Sequence, residues 1–333
     1  MRIAILFLSV LALSCSKNVQ KKMFLKMDTL VEITFFSNKN AQIKNEEMFK
    51  KIENFMDDWE YKFSPSNEDS EISKCNNRQT DTLEISDDLF YMIKTANFYS
   101  EKLDGYFDIS IKPLKDFWDI NSQNSFLPDP KDSSISDTLS QVLRNVDYTK
   151  ISLLENPKRV VFENPEIKID LGAVAKGFAI DKIKDTLLNY EFRNFIVNIG
   201  GDIFVSGSKV GGAQIIVGIK NPRGGEVLKT IALNSKAINT SGDYERFRIA
   251  RSGAKVHHIF DTKTGYPASK NISLSVTGES SLVSDILTTG LFAMPADSIL
   301  IKIKEFEGYE ILLIDSLENL FETDFFTEKR SKK

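Results

Sequence analysis

Two histidines stand side by side in this 333-residue chain, His257 and His258 of "HHIFDTKTGYP", and the sequence holds no others. An imidazole near its ordinary pKa moves a proton to or from a hydroxyl or a phosphate oxygen, and Asp261 follows close behind the pair. Neighbouring side chains of a strand point to opposite faces, so at most one ring faces a given site and the other is idle. In "IDLGAVAKGFAID", Asp170 ends an apolar strand, Gly172 makes the turn, Ala173 starts a helix and Lys176 lies in its first turn. Free N–H groups and positive partial charge at a helix start, with a lysine beside them, make a seat for a phosphate or pyrophosphate. The spacing is not that of a Walker A loop. In "SDILTTGLFAMP", Asp285 and Thr289 are four residues apart in a helical pattern and share one face. With backbone carbonyls from elsewhere, such oxygens suit Mg²⁺, a hard cation that often shares its shell with substrate phosphates. In "LDGYFDISIKPLKDFWD", Tyr106, Phe107 and Asp108 follow a helix-stopping glycine, an arrangement that can hold a flat heterocycle and a polar edge group. Each motif also has a plainer reading: a backbone-satisfied histidine, a solvated lysine, a capping aspartate, aromatic core.

The elements that must position these groups follow from periodicity. A strand is expected from Met23 to Phe36, then a long helix from Asn40 with apolar residues through Met48, Ile52, Phe55, Met56 and Trp59. Residues 64–77 read as loop ending in a helical turn at Ser70 to Ser73, and a capped helix runs from Ser86 to its stop at Gly105. The stretch from Asn121 to Ser140 reads as surface loop giving way to a short helix. "RVVF" and "EIKIDLG" read as strands, "AVAKGFAIDKIKDTLLNY" as a helix, and "NFIVNIGGDIFVSG" as one buried strand interrupted at Gly200 and Gly201, with Asp202 in a turn or paired to a neighbour. Further strands are expected at 214–219, 228–233, 237–239, 246–249, 273–277 and 309–315, and helices near 282–292 and 297–306.

The formal charge of −4 leaves no global basic field for a phosphodiester backbone, so nucleic acid is not an expected partner. At the start, "MRIAILFLSVLALSCSKN" carries an apolar run from Ile3 to Leu13 that is too short for a permanent membrane span and reads as an export signal. A small residue before Cys15 makes it look like a bacterial lipoprotein signal, with Ala12 where leucine is usual. The expected division is a signal peptide over 1–14, a lipidated tether over 15–22, one domain over 23–327 and a basic tail over 328–333. With Cys15 acylated, Cys75 is alone and no intrachain disulfide is possible. The chain would then sit in the cell envelope, lipid-anchored and facing the periplasm.

Together the motifs resemble the ApbE family of bacterial flavin transferases. The matching pieces are "KMDTLVEI", "FSPSNEDSEISKCN", "DGYFDISIKPLKDFWD", "IDLGAVAKGFAID", "FIVNIGGDIFVSG", "INTSGDYERF", "HHIFDTKTGYP" and "SDILTTGLFAMP", spanning about Met27 to Pro295. The resemblance implies an α+β fold with mixed or antiparallel sheets and flanking helices. It implies an enzyme that binds FAD, uses Mg²⁺ at its diphosphate, and moves FMN to a threonine or serine hydroxyl of an exported or membrane redox protein, releasing AMP. By the same resemblance Asp170 and Lys176 bind FAD, while Met27, Tyr106, Phe107, Asp108 and Ile259 line its flavin or adenine pockets. The Ala173 carbonyl, Asp285 and Thr289 would hold the metal, and His258 would transfer the proton, oriented by Asp261, with His257 idle. The chain departs from the family pattern at Ser66, where a tyrosine is common, and at Ile109, Lys112 and Thr262, where proline, glycine and proline are common. A weaker hold on flavin or acceptor would favour water as nucleophile, giving a Mg²⁺-dependent FAD pyrophosphatase. A third reading is a non-catalytic FAD-binding lipoprotein.

Overall fold

A computed structural model of the chain describes residues 18–37, 42–120 and 127–327. The expected signal peptide, Cys15 and the basic tail lie outside the described residues. In chain order the elements are β1 (Val19–Lys26), β2 (Thr29–Phe36), α1 (Gln42–Phe63), α2 (Glu71–Asn76), β3 (Thr82–Glu84), α3 (Asp87–Lys102), α4 (Lys112–Trp118), α5 (Ser136–Leu143), β4 (Ile151–Leu154), β5 (Arg159–Phe162), α6 (Ala175–Asn189), β6 (Phe195–Ile199), β7 (Asp202–Ser206), β8 (Ile215–Lys220), β9 (Val227–Leu233), β10 (Lys236–Gly242), β11 (Phe247–Ile249), β12 (Lys255–His257), β13 (Asn271–Gly278), α7 (Ser281–Phe292), α8 (Ala296–Lys302), β14 (Glu310–Asp315), β15 (Leu320–Glu322) and α9 (Asp324–Thr327).

An antiparallel sheet in the order β1-β2-β6-β7-β10-β13-β14-β15 organises the α+β architecture. Alternation along its strands separates two cores. Val31, Ile33, Phe35, Val197 and Val276 pack with the apolar faces of α1, α3, α6 and α7. Phe36, Val205, Ile238 and Leu312 pack with the β8–β9 ribbon on the other side. Strand β13 is buried along its whole length. Every residue of α7 except Thr289 is buried, so this helix runs through the core and opens at one point only.

Four expectations need correction. Met23 to Phe36 is not one strand but the end of β1, the turn and the whole of β2 in a hairpin, with Lys26 paired to Thr29 across a two-residue loop. Met27 and Asp28 both sit at φ 55°, the backbone that the twist of such a hairpin demands. No glycine marks the turn, and the Met27 N–H is held instead by Glu60 Oε1 of α1 at 2.6 Å. Because β1 starts at Val19, Val19–Lys22 belong to the sheet rather than to a tether. "NFIVNIGGDIFVSG" is likewise a hairpin, β6 and β7, with Gly200 (φ 64°) and Gly201 (φ 100°) forming its two-residue loop. "EIKIDLG" is extended but joins no sheet beyond a single bridge from Lys168 to Ile111. The side-chain amide of Asn76 takes the place of a neighbouring strand, bonding Ile169 N at 2.7 Å and Ile169 O at 2.8 Å. Strands β3, β4, β12 and β15 are three or four residues long, too short to show alternation.

Helices α6 and α7 touch backbone to backbone. A Cβ placed on Gly177 would lie 2.5 Å from Ser281 O and 2.7 Å from Leu282 Cα. Neither neighbour is a flexible side-chain end, so the helices would have to separate. Gly177→Ala is expected to lower the unfolding free energy by about 1–3 kcal/mol, read as a lower urea midpoint at unchanged m; an unshifted midpoint would contradict this packing.

Candidate active site

One cleft of about 600 Å³ collects residues from Met27 to Thr289, a size within the roughly 300–1,000 Å³ of small-molecule sites. The tips of both two-residue hairpins, the start of α6, one side of α4, strand β8 and the segment around His258 wall it. Gly200 permits the two tips to meet, since a Cβ there would lie 2.7 Å from Thr29 Oγ1.

Its charged floor is built by α6, β7 and α7. Lys176 forms an ion pair with Asp202, the first residue of β7, and lies 3.5 Å from Asp285 Oδ1. Asp285 Oδ2 accepts the Gly177 N–H at 3.2 Å, which uses one of the free donors of the α6 start. Asp202 Oδ1 also accepts the Thr240 N–H at 3.3 Å. Asp285 is the only ionisable residue of a helix otherwise lodged in the core. Burial pushes its carboxyl up to about 6, against the pull of Lys176 and with the added push of Asp202. Lys176 is held above the ordinary lysine range because, despite burial, two carboxylates surround it. One lysine facing two buried carboxylates leaves this floor a formal charge of −1, and Ala173 and Thr289 line the same cleft. Among the described residues no three His, Cys, Asp or Glu side chains cluster as a ready-made metal centre. The donors that do converge are oxygens, the type a hard divalent cation takes.

Asp170 also lines the cleft, but its carboxylate is already engaged. Oδ1 accepts the Gly172 N–H at 2.8 Å and Oδ2 pairs with Lys115 of α4 at 2.8 Å. Burial opposes ionisation here, yet Lys115 and that N–H outweigh it and hold the carboxyl below its usual range.

The two histidines divide as strand geometry requires. His257 ends β12 and is buried, with Nε2 2.6 Å from Ala268 O and its ring edge-on to Phe292. Its Nδ1 accepts the Ile259 N–H at 3.3 Å, so both nitrogens are spent on structure. His258 lines the cleft, with Nδ1 3.3 Å from Arg246 O. A proton on Nδ1 satisfies that carbonyl and leaves Nε2 as the basic nitrogen. Burial pushes the His258 imidazole down to about 3, with His257, Lys115 and Arg246 adding to the effect.

Asp261 does not orient His258. Its Oδ1 accepts the Lys263 N–H at 2.9 Å, Oδ2 lies 3.3 Å from Lys270 Nζ, and its backbone closes the turn through Tyr266, Thr264 and Gly265. An aspartate at the start of a "DTKTG" turn bonds its own backbone two residues on, and this local bond decides its direction. Asp108 also lines the cleft, but both its oxygens tie down the loop: Ser110 N and Oγ at 2.7 and 2.6 Å, and Tyr148 N at 2.9 Å. Burial pushes it up to about 6, opposed by these bonds. These bonds fix the loop that carries Tyr106 and Phe107, which line the wall with Met27 and Ile259. Tyr106 also lies under the ammonium groups of Lys263 and Lys270, 5.5 and 5.8 Å from its ring centre. Ser66 is exposed, and Ser64 and Pro65 form the wall there instead.

Sequence reasoning missed Lys115 and left Asp202 without a site role. Lys115 carries no local signal, since its partner Asp170 is far along the chain. Asp202 follows the Gly-Gly pair directly, and recognising that pair as a hairpin loop would have turned it toward the cleft.

The ApbE family profile matches residues 27–313 of the chain. A Haemophilus influenzae protein named FAD:protein FMN transferase is 28% identical over 305 residues, covering 89% of this chain and 86% of that one. A Treponema pallidum protein of the same name is 30% identical over 268 residues, covering 75% and 72%. The crystal structure of the ApbE protein from Thermotoga maritima superposes with a TM-score of 0.84 at 28% identity, covering 93% of this chain and 100% of that one. The flavin transferase ApbE from Vibrio cholerae gives 0.79 at 22% identity over 92% and 98%, a likeness of fold. With the profile spanning residues 27–313 and the fold shared over 93% of its length, this chain belongs to the ApbE family.

Proposed function

We propose that this enzyme transfers FMN from FAD to a serine or threonine hydroxyl of an exported or membrane redox protein, with Mg²⁺, releasing AMP. The observation that carries the reading is the convergence of Lys176, Asp202, Asp285 and Thr289 with His258 on one cleft. The names borne by the relatives support the same substrate pair.

In the proposed step the acceptor oxygen bonds the FMN phosphorus and the bond from that phosphorus to the bridging oxygen of AMP breaks. His258, neutral at physiological pH, accepts the hydroxyl proton at Nε2. Lys176 offsets the diphosphate charge from the start of α6, where helix N–H groups add to it. The oxygens of Ala173, Asp285 and Thr289 fit Mg²⁺, which when bound supplies Lewis-acid neutralisation of the diphosphate and leaving group. Tyr106, Phe107, Met27 and Ile259 give apolar walls for the rings of FAD. Anchoring through Cys15 would hold the enzyme at the periplasmic face of a membrane, close to such acceptors.

The test is incubation with FAD, Mg²⁺ and a candidate acceptor, followed by intact mass and nucleotide analysis. A gain of one FMN less water on the acceptor, with one AMP released per FMN attached, is the expected result. Free FMN and AMP with an unmodified acceptor would replace transfer by hydrolysis, the reading favoured by the exposed Ser66. FAD recovered intact would leave a binding protein.

A further inference from the structure

Asp181 lies on α6 just beyond Lys176, and its carboxylate is spent on the start of the neighbouring helix. Oδ2 accepts from Ser280 Oγ at 2.6 Å and from the Leu282 N–H at 3.1 Å, and Oδ1 accepts the Ser281 N–H at 3.1 Å. Ser280 in turn caps α7 by accepting the Val283 N–H at 3.2 Å. The first three N–H groups of α7 are thus satisfied by a Ser-Asp relay that crosses between two helices, where a negative charge also suits the helix dipole. Lys184, 3.1 Å from Asp181 Oδ1, holds the carboxylate from its own helix.

An ordinary cap comes from the residue before its own helix and says nothing about where that helix sits. This one comes from α6, so it sets both the rotation and the axial position of α7 against α6. The Gly177 contact with Ser281 and Leu282 closes the same joint at a second point. On α6, the joint sits beside Lys176 and the turn carrying Ala173; on α7, Asp285 is one turn past it and Thr289 two. Asp285 reaches back to the Gly177 N–H across this joint. Cation-binding oxygens lose affinity when their supporting shell lets them move by fractions of an ångström.

We propose that Asp181 is the positioning residue of the catalytic cluster, locking α7 onto α6 so that Asp285 and Thr289 are aimed at the Ala173–Lys176 turn. This rests on the reading that Asp285 and Thr289 hold a divalent cation. The acid is needed rather than a neutral isostere, because an amide offers one acceptor oxygen where four donors, Ser280 Oγ, the Ser281 and Leu282 N–H groups and Lys184 Nζ, converge.

The test uses Mn²⁺ as probe, its dissociation constant read by electron paramagnetic resonance on the full chain, at a temperature where near-ultraviolet circular dichroism shows each variant folded. Asp181→Asn is expected to weaken Mn²⁺ binding by about 10–100-fold, and Asp185→Asn, one turn further along α6, to leave it unchanged. Ser280→Ala removes one leg of the relay, serves if Asp181→Asn does not fold, and is expected to weaken binding in the same direction. Unchanged Mn²⁺ affinity in folded Asp181→Asn or Ser280→Ala, with tight binding in the unsubstituted chain, overturns the positioning role alone. Absence of Mn²⁺ binding in the unsubstituted chain overturns it together with the metal reading, so the two failures are told apart.

Discussion

His258→Gln is expected to lower the rate of FMN transfer by roughly 10²–10⁴-fold, the range for loss of a positioned base, with the KM for FAD little changed. Glutamine keeps the size and offers polar atoms, but it cannot take a proton from the attacking hydroxyl. His257→Gln is the matched control. That ring bonds Ala268 O and packs edge-on against Phe292 inside the core, so its replacement is expected to cost stability of about 1–3 kcal/mol and little of the rate per folded molecule. The same assignment fixes a pH signature. His258 is pushed down to about 3 by burial, so the free enzyme holds it neutral across the physiological range. At saturating Mg²⁺, which would hold the Asp285 carboxyl ionised although burial pushes it up to about 6, the profile of kcat/KM should therefore lack an acid limb near the ordinary histidine value of about 6.5. Bound diphosphate favours the imidazolium, so any limb in kcat should move upward toward that value. AMP release measured from about pH 5 to pH 9 checks both; a limb in kcat/KM near 6.5 would contradict the burial of this ring.

Asp285→Asn is expected to separate activity from stability. The amide keeps an oxygen to accept the Gly177 N–H, so that helix-start donor stays satisfied. It removes one of the two carboxylates facing Lys176, leaving a balanced pair with Asp202. A carboxylate pushed up to about 6 by burial is held ionised at pH 7 at some expense to the fold. The melting temperature should then hold or rise. Mg²⁺-dependent AMP release should fall by roughly 10²–10³-fold or more, as expected where electrostatic stabilisation of a transferring phosphoryl is lost. Thermal melts beside AMP assays across a Mg²⁺ series decide it. Retained Mg²⁺-dependent turnover would remove Asp285 from the ligand set.

Much of the site was legible because its local devices are local in sequence. Lys176 lies in the first turn of α6 and Thr289 is one turn past Asp285, and 3.6-residue periodicity places such groups without knowing their surroundings. The adjacency of His257 and His258 was enough to expect that only one of them faces the site and that the other is idle. The corrections share a different cause. Met27 and Asp28 turn a hairpin without glycine, because the Met27 N–H is held by Glu60 from another element. The "EIKIDLG" segment stays out of the sheets because distant groups take its backbone bonds: Asn76, 93 residues away, holds both the N–H and the carbonyl of Ile169, and Arg78 holds the Ile167 carbonyl. Asp261 was expected to serve His258, and a turn of its own took the carboxylate first.

The sequence by itself determined the family, the helices that carry the charged floor, and which of its ionisable side chains sit at helix starts, since these depend on short-range spacing and wording. Only the tertiary structure decided which of those charges meet. Lys176 finds Asp202 across 26 residues and Gly177 finds Asp285 across 108. Such pairings are set by how α6, α7 and the β6–β7 hairpin pack, and burial then moves the proton affinities of Asp285 and His258 in directions no linear pattern encodes.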